Sequence, residues 1–207
     1  MAEELGKIEK PPAEDFKSGR KLYFIPLIYR GEDSPEEYRK LSLKYWEQVE
    51  SQISEMEGKL GGIKRIFHEL IPATGDAALK AIEELCDKSC QIIKDCIKKG
   101  AQLEALEDGD ILTEFMDWSK CLIMGLQNQN VIAKVYEFYR EASRKRNEYI
   151  IKKIDEALQP DEIGILIMRE NHQLQFPADI QIFYVAPPAL DEINRWLRDR
   201  EKQTEEE

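Results

Sequence analysis

The stretch IGILIM at 163–168, running into RENHQLQF at 169–176, decides how the rest of the chain is read. Its first six residues carry no polar side chain and do not alternate. A strand with one wet face alternates polar and apolar residues. A run that does not alternate is covered on both faces, as in a parallel sheet layered between helices. The run stops at Arg169-Glu170-Asn171-His172, so it carries one of only two histidines to a strand end.

Outward from this strand, patterns of the same kind recur. KLYFIPLIY at 21–29 is rich in aromatic and β-branched residues and predicts a first strand, with Pro26 hinting at an edge position or a bulge. In GEDSPEEY, Ser34 as N-cap, Pro35 at the first helical position and Glu37 at the third predict a capping box. The helix that follows repeats Tyr38, Leu41, Tyr45, Val49, Ile53 and Met56 at spacings of three and four and stops at Gly61-Gly62. IKRIFHEL at 63–70 predicts a second strand, 76–99 one helix closed by Gly100, and AQLEAL at 101–106 a short third strand or a helical turn. Asp110 is expected to cap a helix to about Gln127, and a long helix covers 131–158. DIQIFYV at 179–185 is the fifth strand, and Pro187-Pro188 opens a last helix ending near Arg200.

Strand and helix in alternation predict an α/β fold: a single layered domain over 21–200, with a mostly parallel central sheet of about five strands flanked by helices. The two helices in a row before the fourth strand predict a helical hairpin insertion. Residues 1–20 read as a flexible arm without the apolar core of a secretory signal, and 201–207 as a disordered acidic tail.

The chain has 207 residues and a formal charge of −11, which disfavours nucleic acid as a general partner. The basic groups Lys94, Lys98 and Lys99, and Arg140, Arg144, Lys145 and Arg146, read as solvated helix faces and helix ends. No apolar run is long enough to cross a bilayer, so no membrane partner is expected. Cys86, Cys90, Cys96 and Cys121 contain no CxxC pair and lack a signal peptide, which predicts reduced, mostly buried thiols in a cytoplasmic protein. No metal site is predicted and no cofactor is indicated. GxGxxG, P-loop, GxSxG and HExxH patterns are absent, and two histidines are too few for a three-histidine zinc site.

In open parallel sheets ligands bind outside the carboxyl ends of the strands. Arg30, Glu32 and Asp33 follow the first strand, and His68 and Glu69 end the second. Glu104 and Glu107 lie on the third, and Arg169 to His172 follow the fourth. Arg146 lies within the apolar stripe of the long helix, with Tyr139, Ala142, Ile150 and Ile154, so it is expected to be buried against a carboxylate, Glu69 or Glu104.

Arg146-Asn147, His172, the Leu103-Glu104 pair in AQLEAL and Glu69 in IFHEL together resemble motifs of the TraB/erythromycin-esterase/ChaN-like superfamily. The likeness spans most of the chain in order, but the first strand ends in IYRGED without the histidine of the family pattern, and Arg169 stands where a glycine is expected. The resemblance implies an α/β core with its site at the strand ends. It places Glu69, Glu104, Arg146 and His172 in a catalytic role, and the strand-end residues His68, Arg169 and Asn171, with Asn147 of the matched pair, are expected around a ligand. Three functions follow as expectations: a domain binding a small-molecule or peptide ligand or a partner protein at that cleft, a hydrolase of the resembled type, or a homo-oligomer pairing through aromatic helix faces such as Tyr45, Trp46, Tyr136 and Tyr139.

Overall fold

The computed structural model describes residues 18–31, 33–170 and 173–206. Five parallel strands form one sheet in the order β3-β2-β4-β1-β5: β1 (Arg20–Pro26), β2 (Arg65–His68), β3 (Gln102–Glu104), β4 (Ile163–Met168) and β5 (Ile180–Tyr184). Six helices accompany them: α1 (Glu36–Leu60), α2 (Gly75–Leu85), α3 (Asp87–Lys98), α4 (Gly109–Ile123), α5 (Gln129–Ala157) and α6 (Pro188–Glu206). The α/β layered fold expected from the strand–helix alternation is the fold observed.

β4 is buried throughout because both faces of the sheet carry helices. On one face, Tyr23, Ile25, Ile66, Ile165 and Ile167 meet α1, α2, α3 and α6 through Tyr45, Val49, Ile53, Ile82, Ile93 and Ile193. On the other, Leu22, Phe24, Phe67, Leu166 and Met168 meet Ile150, Ile154 and Leu158 at the end of α5. Gly164 lets that helix end come close, since a Cβ there would lie 3.1 Å from Leu22 and 3.3 Å from Leu158 and Phe67. Arg20 anchors the same corner, its guanidinium 2.7 Å from Asp155 and from Asp179 and donating to the carbonyls of Asp155 and Leu158.

Several boundaries differ from the sequence reading. Pro26 marks no edge: β1 lies between β4 and β5, and the proline is its last residue, where the ladder with β4 ends. The predicted capping box does not form. α1 starts at Glu36 behind Pro35 without a side-chain cap, and the Ser34 N–H donates to the Gly31 carbonyl instead. The single helix predicted for 76–99 is two. Cys86 takes an extended conformation (φ −159°), ends α2 through its N–H to Ile82, and opens α3, where its carbonyl accepts from Cys90. The break lets Ile82 and the stripe Cys90, Ile93 and Cys96 reach one core cluster. α4 is capped by Asp108 rather than Asp110, its carboxylate accepting from the N–H groups of Asp110 and Ile111 at 3.0 Å each. α6 runs on to Glu206, through residues expected to lack order, since Glu, Lys and Gln are good helix formers.

α4 and α5 are the expected hairpin, and they share aromatic contacts: Phe115 with Tyr139 (5.5 Å) and Trp118 with Phe138 (4.8 Å). α5 has 29 residues and spans about 43 Å. Only its C-terminal third packs on the sheet, so the hairpin stands out beyond the strand ends. A second pair stands opposite. α6 runs antiparallel to the start of α1, with the Ala189 N–H on Gln48, Lys44 on Glu192 and the Trp196 indole on Glu37.

Candidate functional site at the strand ends

The connections leaving β1 and β4, adjacent at the centre of the sheet, depart to opposite faces. After β1 the chain enters α1 on one face, whereas after β4 Leu174 and Phe176 pack on the other. This divergence opens a crevice at the carboxyl ends of the two strands. Between the two helical arms it widens into a cleft of about 2190 Å³. Tyr29, Glu69, Arg146 and Arg169 line its floor, with Asn147 beside them on α5.

The floor is an ion-pair network. Arg146, 4 % exposed, donates through Nε and Nη2 to the Glu107 carboxylate and through Nη2 to Glu69 at 3.3 Å. Its guanidinium stacks over the Phe115 ring at 4.7 Å. Glu69, 1 % exposed, also takes Arg169 on one edge, with Nη2 at 2.8 Å, Nε at 3.0 Å and the Arg169 backbone N–H at 2.9 Å. Burial would raise the Glu69 pKa, but Arg169 and Arg146 outweigh it and hold the carboxyl below its ordinary value. Burial likewise works against the Arg146 charge, and Glu107 and Glu69 more than offset it. Leu70 has a left-handed backbone (φ +67°), unusual for a bulky residue, which aims its N–H at Glu107 (3.1 Å).

Tyr29 closes the floor from the end of β1. Tyr38 on α1 donates to its carbonyl at 2.9 Å. The Tyr29 hydroxyl is buried and has no hydrogen-bond partner among the described residues. Its pKa is pushed up to about 12, by burial first and then by Glu69, so it is protonated at neutral pH.

The structure therefore brings Glu69, Arg146, Asn147 and Arg169 together, and it separates others that the sequence reading grouped with them. Glu104 faces Arg65 at 2.6 Å, and Arg65 also holds Glu162 at the opposite, amino end of the sheet. Beside Glu69, the carboxylate on Arg146 is Glu107 rather than Glu104, a residue that the sequence reading placed on the third strand. The three-residue β3 ends before it, and the turn carries it back to the floor. His68 is fully buried away from the cleft, not a ligand-binding group. Its Nδ1 donates to the Glu69 carbonyl at 2.7 Å, and Nε2 lies 3.3 Å from Ser89 Oγ, whose proton it shares with the Cys86 carbonyl (2.9 Å). Burial pulls its pKa down to about 4, so the ring is neutral and structural. Strand pairing explains the split. Residues at strand ends alternate faces, so His68 turns to α3 while Glu69 turns to the cleft. Asn171, His172 and Glu32 lie outside the described residues. Tyr29 was missed because nothing local distinguishes it from the other aromatics of KLYFIPLIY.

Among the described residues no group of three or more His, Cys, Asp or Glu side chains could hold a metal ion, and no helix is long and apolar enough to cross a membrane. In comparisons with known proteins, no family model, no curated protein and no solved structure matches this chain.

Proposed function

We propose that the chain is a binding domain that takes a small-molecule or peptide ligand, or a segment of a partner protein, in the cleft between its helical arms. The observation that carries this reading is the cleft itself. It sits at the divergence of the central strand connections, has a polar floor buttressed by buried ion pairs, and exceeds the roughly 300–1,000 Å³ of ordinary small-molecule pockets. A volume of that size suits an extended ligand such as a peptide. The buried pairs hold Glu69, Arg146 and Arg169 in one geometry, which is the preorganisation that binding favours.

Hydrolysis is the weaker reading. Glu69 and Arg146, two of the residues the resemblance implies, do share the floor. Yet Glu69 is held ionised by two guanidinium groups and a backbone N–H, which occupy the lone pairs a general base would use. Pairing through aromatic helix faces also loses support, because Tyr45 and Trp46 are consumed by the core and only Tyr136 of the four is more than half exposed.

A thermal-shift screen of metabolite and peptide collections against the wild-type chain and Ser143→Trp tests the proposal. Ser143 lines the cleft on α5 outside the ion-pair network. Ligands should stabilise the wild type and fail to stabilise the variant. Hits that stabilise both alike would place binding elsewhere and defeat the proposal.

A further inference from the structure

The floor of the cleft offers donors and keeps its acceptors occupied. Glu69 is taken by Arg169 and Arg146, and Glu107 by Arg146 and the Leu70 N–H. Arg169 spends its Nε and Nη2 on Glu69, yet its side chain is 48 % exposed and lines the cleft, and Nη1 takes no part in that ion pair. The Tyr29 hydroxyl is buried, protonated and, among the described residues, unpartnered, and it is close enough to Glu69, Arg169 and Arg146 to feel their charges. A buried hydroxyl without a partner costs free energy that a ligand acceptor recovers.

The lining is less acidic than the chain as a whole. The whole chain carries 41 acidic against 30 basic residues, but seven cationic and six acidic side chains line this cleft, Glu69, Arg146 and Arg169 of the floor included. The cations include six arginines, the side chain best matched to planar oxyanions. A cationic ligand group would meet Arg169 and Arg146 with no free carboxylate on the floor to receive it.

We infer that the floor binds an oxyanion of an organic ligand, a carboxylate or a phosphate, between the outer edge of the Arg169 guanidinium and the Tyr29 hydroxyl. The inference rests on the binding-cleft reading and narrows it to a ligand class. The anion takes Nη1 and Nη2 of Arg169 as a fork while Glu69 keeps the other edge, so the existing ion pair orients the fork and need not break. The body of the ligand then lies along the cleft between α5 and α6.

The test is a titration of the full chain, followed by amide chemical shifts at constant ionic strength. Inorganic pyrophosphate is the probe in one arm and citrate in the other. Wild-type protein should show saturable shifts around Tyr29, Asn147 and Arg169 with at least one anion, and the stronger arm tells phosphate from carboxylate. Arg169→Lys keeps the charge beside Glu69 but loses the fork, and should weaken binding about tenfold. Tyr29→Phe removes one hydroxyl and should weaken it about fivefold, with melting unchanged or slightly raised because an unsatisfied group is gone. Shifts that do not saturate, or binding equal in Arg169→Lys, overturn the inference. If neither anion binds while uncharged hits from the Ser143→Trp screen do, the oxyanion is wrong and the binding cleft stands. If nothing binds in either experiment, both fall.

Discussion

Arg146 shows what a single residue settles here. An apolar stripe interrupted by a guanidinium demands a carboxylate at the same depth, since an unpaired buried charge costs several kcal/mol. The stripe placed Arg146 in the sequence and offered Glu69 or Glu104 as its partner; Glu69 does pair with it, but Glu107, the second partner, could not be read there. Glu69 and Glu104 are near strand ends as Glu107 is, and only the turn after β3 brings Glu107 within reach. Arg146→Met should therefore destabilise the chain by about 3–5 kcal/mol in urea unfolding, because it strands the buried Glu107 carboxylate and takes one of two guanidinium partners from Glu69. Adding Glu107→Gln to that variant should recover part of the loss, and a loss under about 1 kcal/mol in the single variant would mean the pair is solvated. His68 gives a pH signature. Its pKa is about 4 folded against 6.5 in the open chain, so between these values the unfolded state binds the extra proton. Its stabilising contribution is complete above pH 6.5 and is lost as pH falls towards 4, on the order of 3 kcal/mol in all. Below its ordinary value of 4.5 Glu69 adds to the loss, since its pKa is also depressed. Urea midpoints from pH 7 to 4 should fall steeply in the wild type and flatten in His68→Gln. An unchanged slope in the variant would assign the acid sensitivity elsewhere.

At the scale of the element, β4 and the end of α5 are the joint on which the site depends. β4 matches its sequence boundaries residue for residue, because a two-sided apolar run admits little else. Gly164 sets the distance between them. A methyl group there would press on Leu22, Leu158 and Phe67, so Gly164→Ala should cost about 1–3 kcal/mol and lower the melting temperature. A neutral or stabilising result would show that the Leu158 end of α5 moves aside freely. The break at Cys86 teaches the complementary lesson. Residues 76–99 satisfy helix propensity throughout, yet the chain bends so that both halves bury their apolar faces against one sheet.

Over the whole molecule, the two helical arms account for the cleft and for most of the large exposed apolar side chains, Ile182 and Tyr184 on β5 being the others. The tip of the α4–α5 hairpin carries Ile123, 84 % exposed, and Met124, 73 % exposed. Neither belongs to either core cluster. Ile123→Glu together with Met124→Glu should leave stability within about 0.5 kcal/mol of wild type by urea unfolding. A larger loss would show that the hairpin tip is packed in solution against something its own chain does not provide.

Much of this fold was legible in the order of residues because it follows from short-range periodicity. β4's uniform apolar run, the three-and-four spacing of α1 and the alternation of strand with helix are local patterns, and local patterns specify elements and the layers they need. The depth of Arg146 belongs with them, since a helix stripe has one buried side. The rest needed distance in space. The strand order β3-β2-β4-β1-β5 places the diverging connections of β1 and β4 side by side, and no local pattern encodes that adjacency. It chose Glu107 over Glu104, turned His68 towards α3 and Glu69 towards the cleft, and left Tyr29 lining the same cleft as Arg169. Which of two neighbouring polar residues faces a cleft is decided by strand register and by where a turn ends, and both are set by contacts between residues tens of positions apart.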